Sequence, residues 1–334
     1  PTNAPPGPPL PRKERHVPHT LRLIGRRLLQ LPLMILGITF LVFFVMSFSP
    51  VDPARTALGE TASPEALEAY REDHGLNLPL FARYVNFLFG LVQGDLGTYS
   101  ARSLPVIDEV ARAFPVTLAL TFLGLLIAVI VAFVIGVLAA VYRDRWPDQV
   151  IRVFGVAALS TPSFWLAILL IQVFTLGLNL LPASGPLPDF WTDPSGWLAR
   201  MTLPAIALAV PVIGQLSRVV RTSMVEELDR DYVRTALGAG IPRVIVVGRN
   251  VLRNALITPV TVLGLRIGYL LGGAVVIEII FAIPGMGTLI LNGVTNNEPN
   301  LVQGVTLAVA LAFVVINIIV DLLYVLINPR IRAV

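Results

Sequence analysis

Apolar residues in this chain fall into six long segments separated by polar stretches, at about 28–48, 115–141, 151–180, 202–222, 257–280 and 303–327. Each segment is long enough to cross the roughly 30 Å hydrocarbon core of a bilayer as one helix. A helix satisfies its own backbone hydrogen bonds, so it is the expected spanning element in lipid. The pattern therefore predicts an all-α, polytopic membrane protein with six transmembrane helices.

The polar stretch after the first segment, 49–113, is too long for a simple turn and carries helix signals of its own. Ser63 followed by Pro64 is typical of a helix start, and Gly75 is typical of a helix end. Pro79 marks the start of a second helical stretch. We therefore expect a small helical cap between the first two spans.

A second polar stretch, 231–242, lies between the fourth and fifth apolar segments. Asp229 or Asp231 can cap a short helix, and Gly240 can end it in the left-handed conformation. Pro242 suits the first turn of the helix that follows. A helix this short needs tertiary contacts to be stable.

The predicted helix offers a modest apolar face. Tyr232 and Ala236 are four residues apart, as are Val233 and Leu237, whereas Arg234 points elsewhere. Two interpretations are open for these residues. The stretch is either a solvated connector between spans or a helix that docks in a groove of a cytoplasmic partner.

The distribution of basic residues predicts the orientation of the chain. Eighteen of the 25 Lys and Arg residues lie in 12–27, 142–152, 218–253 and 328–334, and six lie in 49–113 and 181–201. Basic residues favour the cytoplasmic side, so both termini and the 231–242 stretch are expected there, and 49–113 and 181–201 are expected outside. Residues 1–20 are proline-rich, which predicts a flexible tail before a transmembrane domain at 21–334.

Composition excludes several kinds of chemistry in this chain. It contains no cysteine, so disulfides and thiolate metal sites are absent. Its only lysine is Lys13, followed by Glu14, so it has no phosphate-binding loop for ATP. The histidines His16, His19 and His74 lack the spacing of metal ligands or of a hydrolytic triad. We expect no catalytic residue and no metal site.

An ion-coupled carrier would need ionisable groups near the middle of the bilayer. Glu278 and Asp321 lie towards the ends of their spans, and only Arg266 lies well inside one. An arginine facing lipid at a helix centre costs about 2.5–3.5 kcal/mol. Arg266 therefore either extends to the cytoplasmic surface or faces an aqueous pathway or an acidic partner.

Glycines recur every four residues on the fifth predicted span, at Gly264, Gly268 and Gly272. Small residues at this spacing let another helix approach closely.

The stretch at 231–242 resembles the EAA loop of permease subunits of ABC importers. Arg234, Thr235 and Ala236 occupy the Glu-Ala-Ala positions, and Gly240 occupies the glycine. The general pattern ends in Ile-x-Leu-Pro, of which only the leucine is kept here. The version found in the dipeptide/oligopeptide/nickel family fits better, with Asp-Tyr-Val-Arg-Thr-Ala at 231–236 and Leu-Arg-Asn-Ala-Leu at 252–256.

Further stretches resemble the same family, and together they extend over nearly the whole chain from residue 22. They are Gly-Asp-Leu-Gly-Thr at 94–98, Leu-Pro-Val at 104–106, Ser-Thr-Pro-Ser-Phe-Trp at 160–165, Leu-Pro-Ala-Ser-Gly at 181–185, Pro-Gly-Met-Gly at 284–287, Val-Gln-Gly at 302–304 and Asn-Pro-Arg at 328–330.

This resemblance implies a type I ABC importer permease in a prokaryotic inner membrane. Its partners would be a second homologous permease, two cytoplasmic ATPases that hold ATP and Mg, and an external substrate-binding protein. The chain itself would hold no cofactor and would not be an enzyme. The loop at 223–256 would couple to the ATPases through Asp231, Tyr232, Val233, Arg234, Thr235, Ala236, Leu237 and Gly240. The seam between the permeases, or the pore, would include Gly264, Arg266, Gly268 and Gly272.

The loop at 284–300 is predicted to contact the binding protein or to form the external gate. It has glycines and a proline but no basic residue, which indicates a shaped outer loop and not a tether to anionic lipid. A plain hairpin between spans is the alternative. The candidate residues are Glu278, Pro284, Gly285, Met286 and Gly287.

Import of di- or oligopeptides is the expected function. An importer of nickel, glutathione or another small solute with the same architecture is an alternative, because selectivity rests mostly with the binding protein. An ion-coupled secondary transporter is disfavoured by the missing intramembrane acids.

Overall fold

The computed structural model describes residues 19–49, 52–59, 61–99 and 104–327. Nearly all of this part is helical, which confirms the predicted all-α fold. The proline-rich tail, apart from residues 19 and 20, and the motif at 328–330 lie outside the described residues.

The first half of the described chain has two long helices separated by a cap of short elements. These are α1 (His19–Ser47), α2 (Pro53–Leu58), α3 (Pro64–Asp73), α4 (Leu80–Val92), β1 (Thr98–Tyr99), β2 (Leu104–Pro105) and α5 (Val106–Val141). The two strands pair in antiparallel orientation, which the sequence did not predict.

Both helices expected in the cap are present. Ser63 accepts a hydrogen bond from the backbone N–H of Ala66 at the start of α3, and Gly75 follows its end with φ +62°. Pro79 immediately precedes α4. At α2, Asp52 is both the N-cap and a partner of Arg71, and the hydrogen bond from Arg71 lowers the pKa of the Asp52 carboxyl.

The second half of the described chain contains the remaining spans and the connections between them. Its elements are α6 (Trp146–Ser160), α7 (Ser163–Leu170) with its π-helical continuation Ile171–Gly177, α8 (Pro194–Leu228), α9 (Asp231–Gly238), α10 (Arg243–Ile245) with its π-helical continuation Val246–Val251, α11 (Leu252–Ala255), α12 (Ile257–Ile280), α13 (Met286–Thr295) and α14 (Pro299–Ile327).

Three helices, α5, α8 and α14, are individually long and apolar enough to cross a membrane. Two bent pairs, α6 with α7 and the two parts of α12, bring the total in the described chain to as many as five. The remaining predicted segment, 28–48, corresponds to α1, where the apolar stretch Pro32–Ser47 is shorter than the candidate spans.

The prediction of one continuous helix at 151–180 is wrong. The chain bends by 103° between α6 and α7. Thr161 has an extended backbone (φ −86°, ψ 117°) and precedes Pro162, the N-cap of α7. Proline disfavours the helical conformation in the residue before it and has no N–H to continue the hydrogen-bond ladder, so the helix breaks here.

The core is built around α5 and α8. Gly136 of α5 lies so close to α8 that a Cβ there would be 2.7 Å from the Cβ of Val220. Ala128 and Ala132, which precede Gly136 on α5 at four-residue spacing, are fully buried in the same core. Small side chains let helix backbones approach closely, so this spacing explains the contact.

Candidate functional site

The polar stretch between the fourth and fifth predicted spans folds into the short helix α9, as predicted. Its N-terminal cap differs from the prediction. Arg230 occupies the N-cap position with no side-chain hydrogen bond, so neither Asp229 nor Asp231 is the cap. Asp231 lies instead in the first turn, where a carboxylate interacts favourably with the helix dipole.

The C-terminal end of α9 agrees with the prediction. Gly240 has φ +79°, a left-handed conformation that glycine adopts without a Cβ penalty. The N–H of Gly240 donates to the Leu237 carbonyl at 3.0 Å, and that of Ile241 donates to the Ala236 carbonyl at 3.2 Å. This pair of bonds is a Schellman motif, which directs the chain sharply away from the helix axis.

One face of α9 packs against the body of the same chain. Val233 is 4% exposed and belongs to the main core. The Tyr232 hydroxyl donates to Glu227 at 2.9 Å, and Asn254 donates to that hydroxyl at 3.3 Å. Burial raises the pKa of the Tyr232 phenol. The interpretation of this stretch as a helix that docks in a partner therefore does not extend to Tyr232 and Val233, which pack within their own chain.

Another set of apolar side chains near α9 remains exposed. Leu237 is 42% exposed, and Ile241, Val244 and Ile245 follow at 37%, 83% and 48%. We call these four residues the α9–α10 patch. Polar Arg234 and Thr235 are also exposed on α9. An exposed apolar patch rimmed by polar residues marks a surface that contacts another protein or the membrane.

The glycine stripe on α12 serves packing within the chain at two of its three positions. A Cβ on Gly264 would lie 2.1 Å from Val320, and one on Gly268 would lie 2.2 Å from Phe313, both on α14. Gly272 is exposed, with nothing within 4 Å of an added Cβ. A role at the permease seam or pore stays a prediction, and Gly272 is the stripe residue still available for it.

Arg266 is partly buried on α12. Its guanidinium carbon lies 5.8 Å from the centre of the Tyr269 ring, and Tyr269 is 53% exposed. Among the side chains that the structure describes, which do not include Asp321, no carboxylate forms an ion pair with Arg266. A cation–π contact therefore offsets part of the cost of placing this charge in a span.

The candidate gate residues form a buried hydrogen-bonded cluster at the start of α13. Glu278, fully buried, accepts from the Thr117 hydroxyl at 2.6 Å with one oxygen and from the Gly287 N–H at 2.7 Å with the other. Thr117 in turn accepts from the Met286 N–H at 2.9 Å. A Cβ on Gly285 would overlap the Glu278 carboxyl group, so a larger residue there would displace that carboxylate from the cluster.

This arrangement corrects part of the gate prediction. Glu278, Gly285, Met286 and Gly287 are buried, and only Pro284 is exposed. The four buried residues therefore hold the beginning of α13 against α5 and α12 and have little surface for a partner. Leu291 and Val294, on α13 itself, are exposed at 42% and 60%.

Both ends of the chain match known families. Residues 132–333 match the family described as binding-protein-dependent transport system inner membrane component. Residues 20–121 match the family that describes the N-terminal part of such membrane components. The chain belongs to this family of transport-system inner membrane components. It is therefore a multi-pass membrane protein, as the apolar pattern predicted.

Named relatives of this inner membrane component are similar along almost their whole length. A Brucella abortus (strain 2308) protein, named provisionally as a peptide transport system permease, is 39% identical over 93% of this chain and 98% of its own. DdpB of Escherichia coli (strain K12), named a probable D,D-dipeptide transport system permease, is 37% identical over 92% and 97%. GsiC of the same strain, named a glutathione transport system permease, is 38% identical over 93% and 99%. These similarities confirm the predicted resemblance to ABC permeases.

Two buried charges of this inner membrane component escaped sequence analysis. Arg200, counted above as external, is 2% exposed in α8 and donates to the carbonyls of Ala183 at 2.7 Å and Phe281 at 2.5 Å. Asp148 is fully buried in α6 and accepts two hydrogen bonds from Arg221 of α8, at 2.6 and 2.7 Å.

These two contacts join segments that are distant in sequence. Arg200 connects the 181–185 motif to the end of α12, and Asp148 connects α6 to α8. The only available signal was an isolated charge next to an apolar run, which does not identify its partner. Among the described residues there is no cluster of three His, Cys, Asp or Glu side chains that could hold a metal.

Proposed function

We propose that this chain is the permease subunit of an ATP-driven importer of di- or oligopeptides and forms the translocation pathway with a second permease. The relatives named as peptide and dipeptide permeases support this substrate class. One observation supports the coupling role. One face of α9 packs against the core of this chain, whereas the α9–α10 patch is exposed.

In this proposal the α9–α10 patch docks in a groove of a cytoplasmic ATPase. Val233 and Tyr232 connect α9 to the core, so a displacement of α9 is transmitted to α8. Two ATPase states that contact the patch differently would then favour two conformations of the pathway. The ATPases would hold ATP and Mg. Both termini of this chain and α9 would lie in the cytoplasm. Residues 49–113 would lie outside and face a binding protein.

Glutathione is a second candidate substrate, supported by the 38% identity to GsiC. Because glutathione is itself a modified tripeptide, the two candidates call for a similar pathway. The binding protein would then decide between them.

Uptake by the purified transporter in liposomes tests this proposal. We expect uptake of labelled dipeptide that requires ATP inside the liposomes, the binding protein and both permeases. In a second experiment, unlabelled glutathione is added to compete with the labelled dipeptide. Uptake driven by an ion gradient without ATP would contradict the proposal. Competition by glutathione but not by dipeptides would favour the second candidate.

A further inference from the structure

A pocket of about 250 Å³ lies between α6 and α8. The two helices touch where Gly155 meets Gly214, because a Cβ on Gly214 would be 2.7 Å from the Gly155 carbonyl oxygen. They are joined a second time by the ion pair between Asp148 and Arg221. The helices are therefore held at two points with an open space along them.

The pocket has more positive than negative charge. Arg152, Arg218 and Arg221 all line it. Arg221 is neutralised by its two hydrogen bonds to Asp148, and Arg152 lies 3.6 Å from the same carboxylate with half of its side chain exposed. Among residues 32–49, 52–59, 61–99 and 104–320, apart from 265, no acidic side chain forms an ion pair with the exposed Arg218. The Asp148 carboxylate therefore pairs with two of the three guanidinium groups, those of Arg152 and Arg221.

Apolar side chains surround these arginines. Ile151, Val156 and Leu159 line the same pocket. On the neighbouring surface of α6, Val150 and Val153 are 58% and 70% exposed. In a membrane protein such a surface suits hydrocarbon chains, so the pocket and its surroundings match a ligand with an anionic head and an apolar tail.

The position of the arginines along α8 corresponds to the membrane surface. No charged residue occurs between Arg200 and Arg218. The helix has 35 residues, which is longer than the roughly 20 residues needed to cross the hydrocarbon core. Arg218 and Arg221 are therefore expected at the depth of the lipid headgroups, on the side that carries α9.

We propose that this pocket binds the phosphate group of an anionic membrane lipid, with Arg152 and Arg218 as its ligands. Guanidinium groups recognise phosphate through paired, charge-assisted hydrogen bonds. Basic pockets between membrane helices suit lipid headgroups. The site is separate from the α9–α10 patch and does not depend on which solute is transported.

Lipid binding by the intact transporter, purified with its subunits and stripped of lipid, tests the proposal. Phosphatidylglycerol and phosphatidylcholine are titrated separately in mixed micelles. We expect the double variant Arg152→Gln with Arg218→Gln to bind phosphatidylglycerol about thirtyfold more weakly than wild type. Arg253→Gln, which removes an exposed basic residue outside the pocket, is the matched control and should bind as wild type does.

Two further measurements distinguish the source of the phosphate and the role of charge. Excess inorganic phosphate should leave phosphatidylglycerol bound, because it lacks the apolar tail. The double variant Arg152→Lys with Arg218→Lys should bind phosphatidylglycerol more tightly than the double glutamine variant, because it keeps both positive charges. It should bind more weakly than wild type, because an ammonium group cannot form the paired hydrogen bonds of a guanidinium group. Equal binding of both lipids to wild type, complete displacement by inorganic phosphate, or unchanged binding in the double glutamine variant would overturn the proposal.

Discussion

The carboxylate of Glu278 accepts hydrogen bonds from two buried donors. Replacing Glu278 by Ala would leave the Gly287 N–H and the Thr117 hydroxyl unpaired in a buried site. Each unsatisfied buried group costs about 1–3 kcal/mol. We expect Glu278→Ala to lower the thermal unfolding temperature of the detergent-purified protein, and Glu278→Gln to lower it less, because the amide oxygen can still accept from Gly287.

Glu226→Ala is the matched control for this experiment, since Glu226 is exposed on α8. It should unfold at the wild-type temperature. If Glu278→Ala also unfolded at that temperature, the Glu278 cluster would not contribute to stability.

Gly240 and Gly238 provide a matched pair for testing backbone conformation. Both have open space where a Cβ would be added, but only Gly240 has a positive φ. An L-residue in the left-handed region costs about 1–2 kcal/mol. We expect Gly240→Ala to reduce ATP-dependent uptake and the stability of α9, whereas Gly238→Ala, in a helical conformation, should leave both intact. Equal effects of the two substitutions would show that φ at Gly240 is not the cause.

At the scale of the element, the two faces of α9 predict different consequences. Val244→Asp places a charge on the α9–α10 patch at an 83% exposed position. We expect the protein to fold normally but to lose copurifying ATPase, since truncating or charging a docking residue acts on the partner interface. Val92→Asp, at an 87% exposed position on α4, is the control and should keep the ATPase.

Substitutions on the face of α9 that packs against its own chain should lower stability and not ATPase binding. Tyr232→Ala removes the contacts to Glu227 and Asn254. We therefore expect this variant to have a lower unfolding temperature and still to copurify with the ATPase. Wild-type stability together with loss of ATPase would instead identify Tyr232 as a docking residue.

At the scale of the whole molecule, orientation can be measured directly because the chain has no cysteine of its own. Glu72 is exposed on α3, and the Asp231 side chain is 99% exposed on α9. We expect an impermeant maleimide to label Glu72→Cys in cells whose inner membrane is intact, and to label Asp231→Cys only after that membrane is opened. The reverse pattern would contradict the proposed orientation.

Local signals in the sequence were sufficient for several of the helices and for some of their ends. The apolar runs predicted α5, α12 and α14, and the signals at Ser63, Pro79 and Gly240 predicted the ends of short elements. These features depend on hydrogen bonds and backbone conformations within a few residues, so the neighbouring sequence contains the necessary information. The motifs along the chain were likewise sufficient for the family.

The partners of the buried polar groups depended on which helices lie side by side. Glu278 pairs with Thr117 of α5, and Arg221 with Asp148 of α6, although neither pair is close in sequence. Tyr232 was predicted to face a partner protein but packs inward for the same reason. The order of apolar and polar residues along one helix determines that a face is buried, whereas the tertiary packing determines which neighbour buries it.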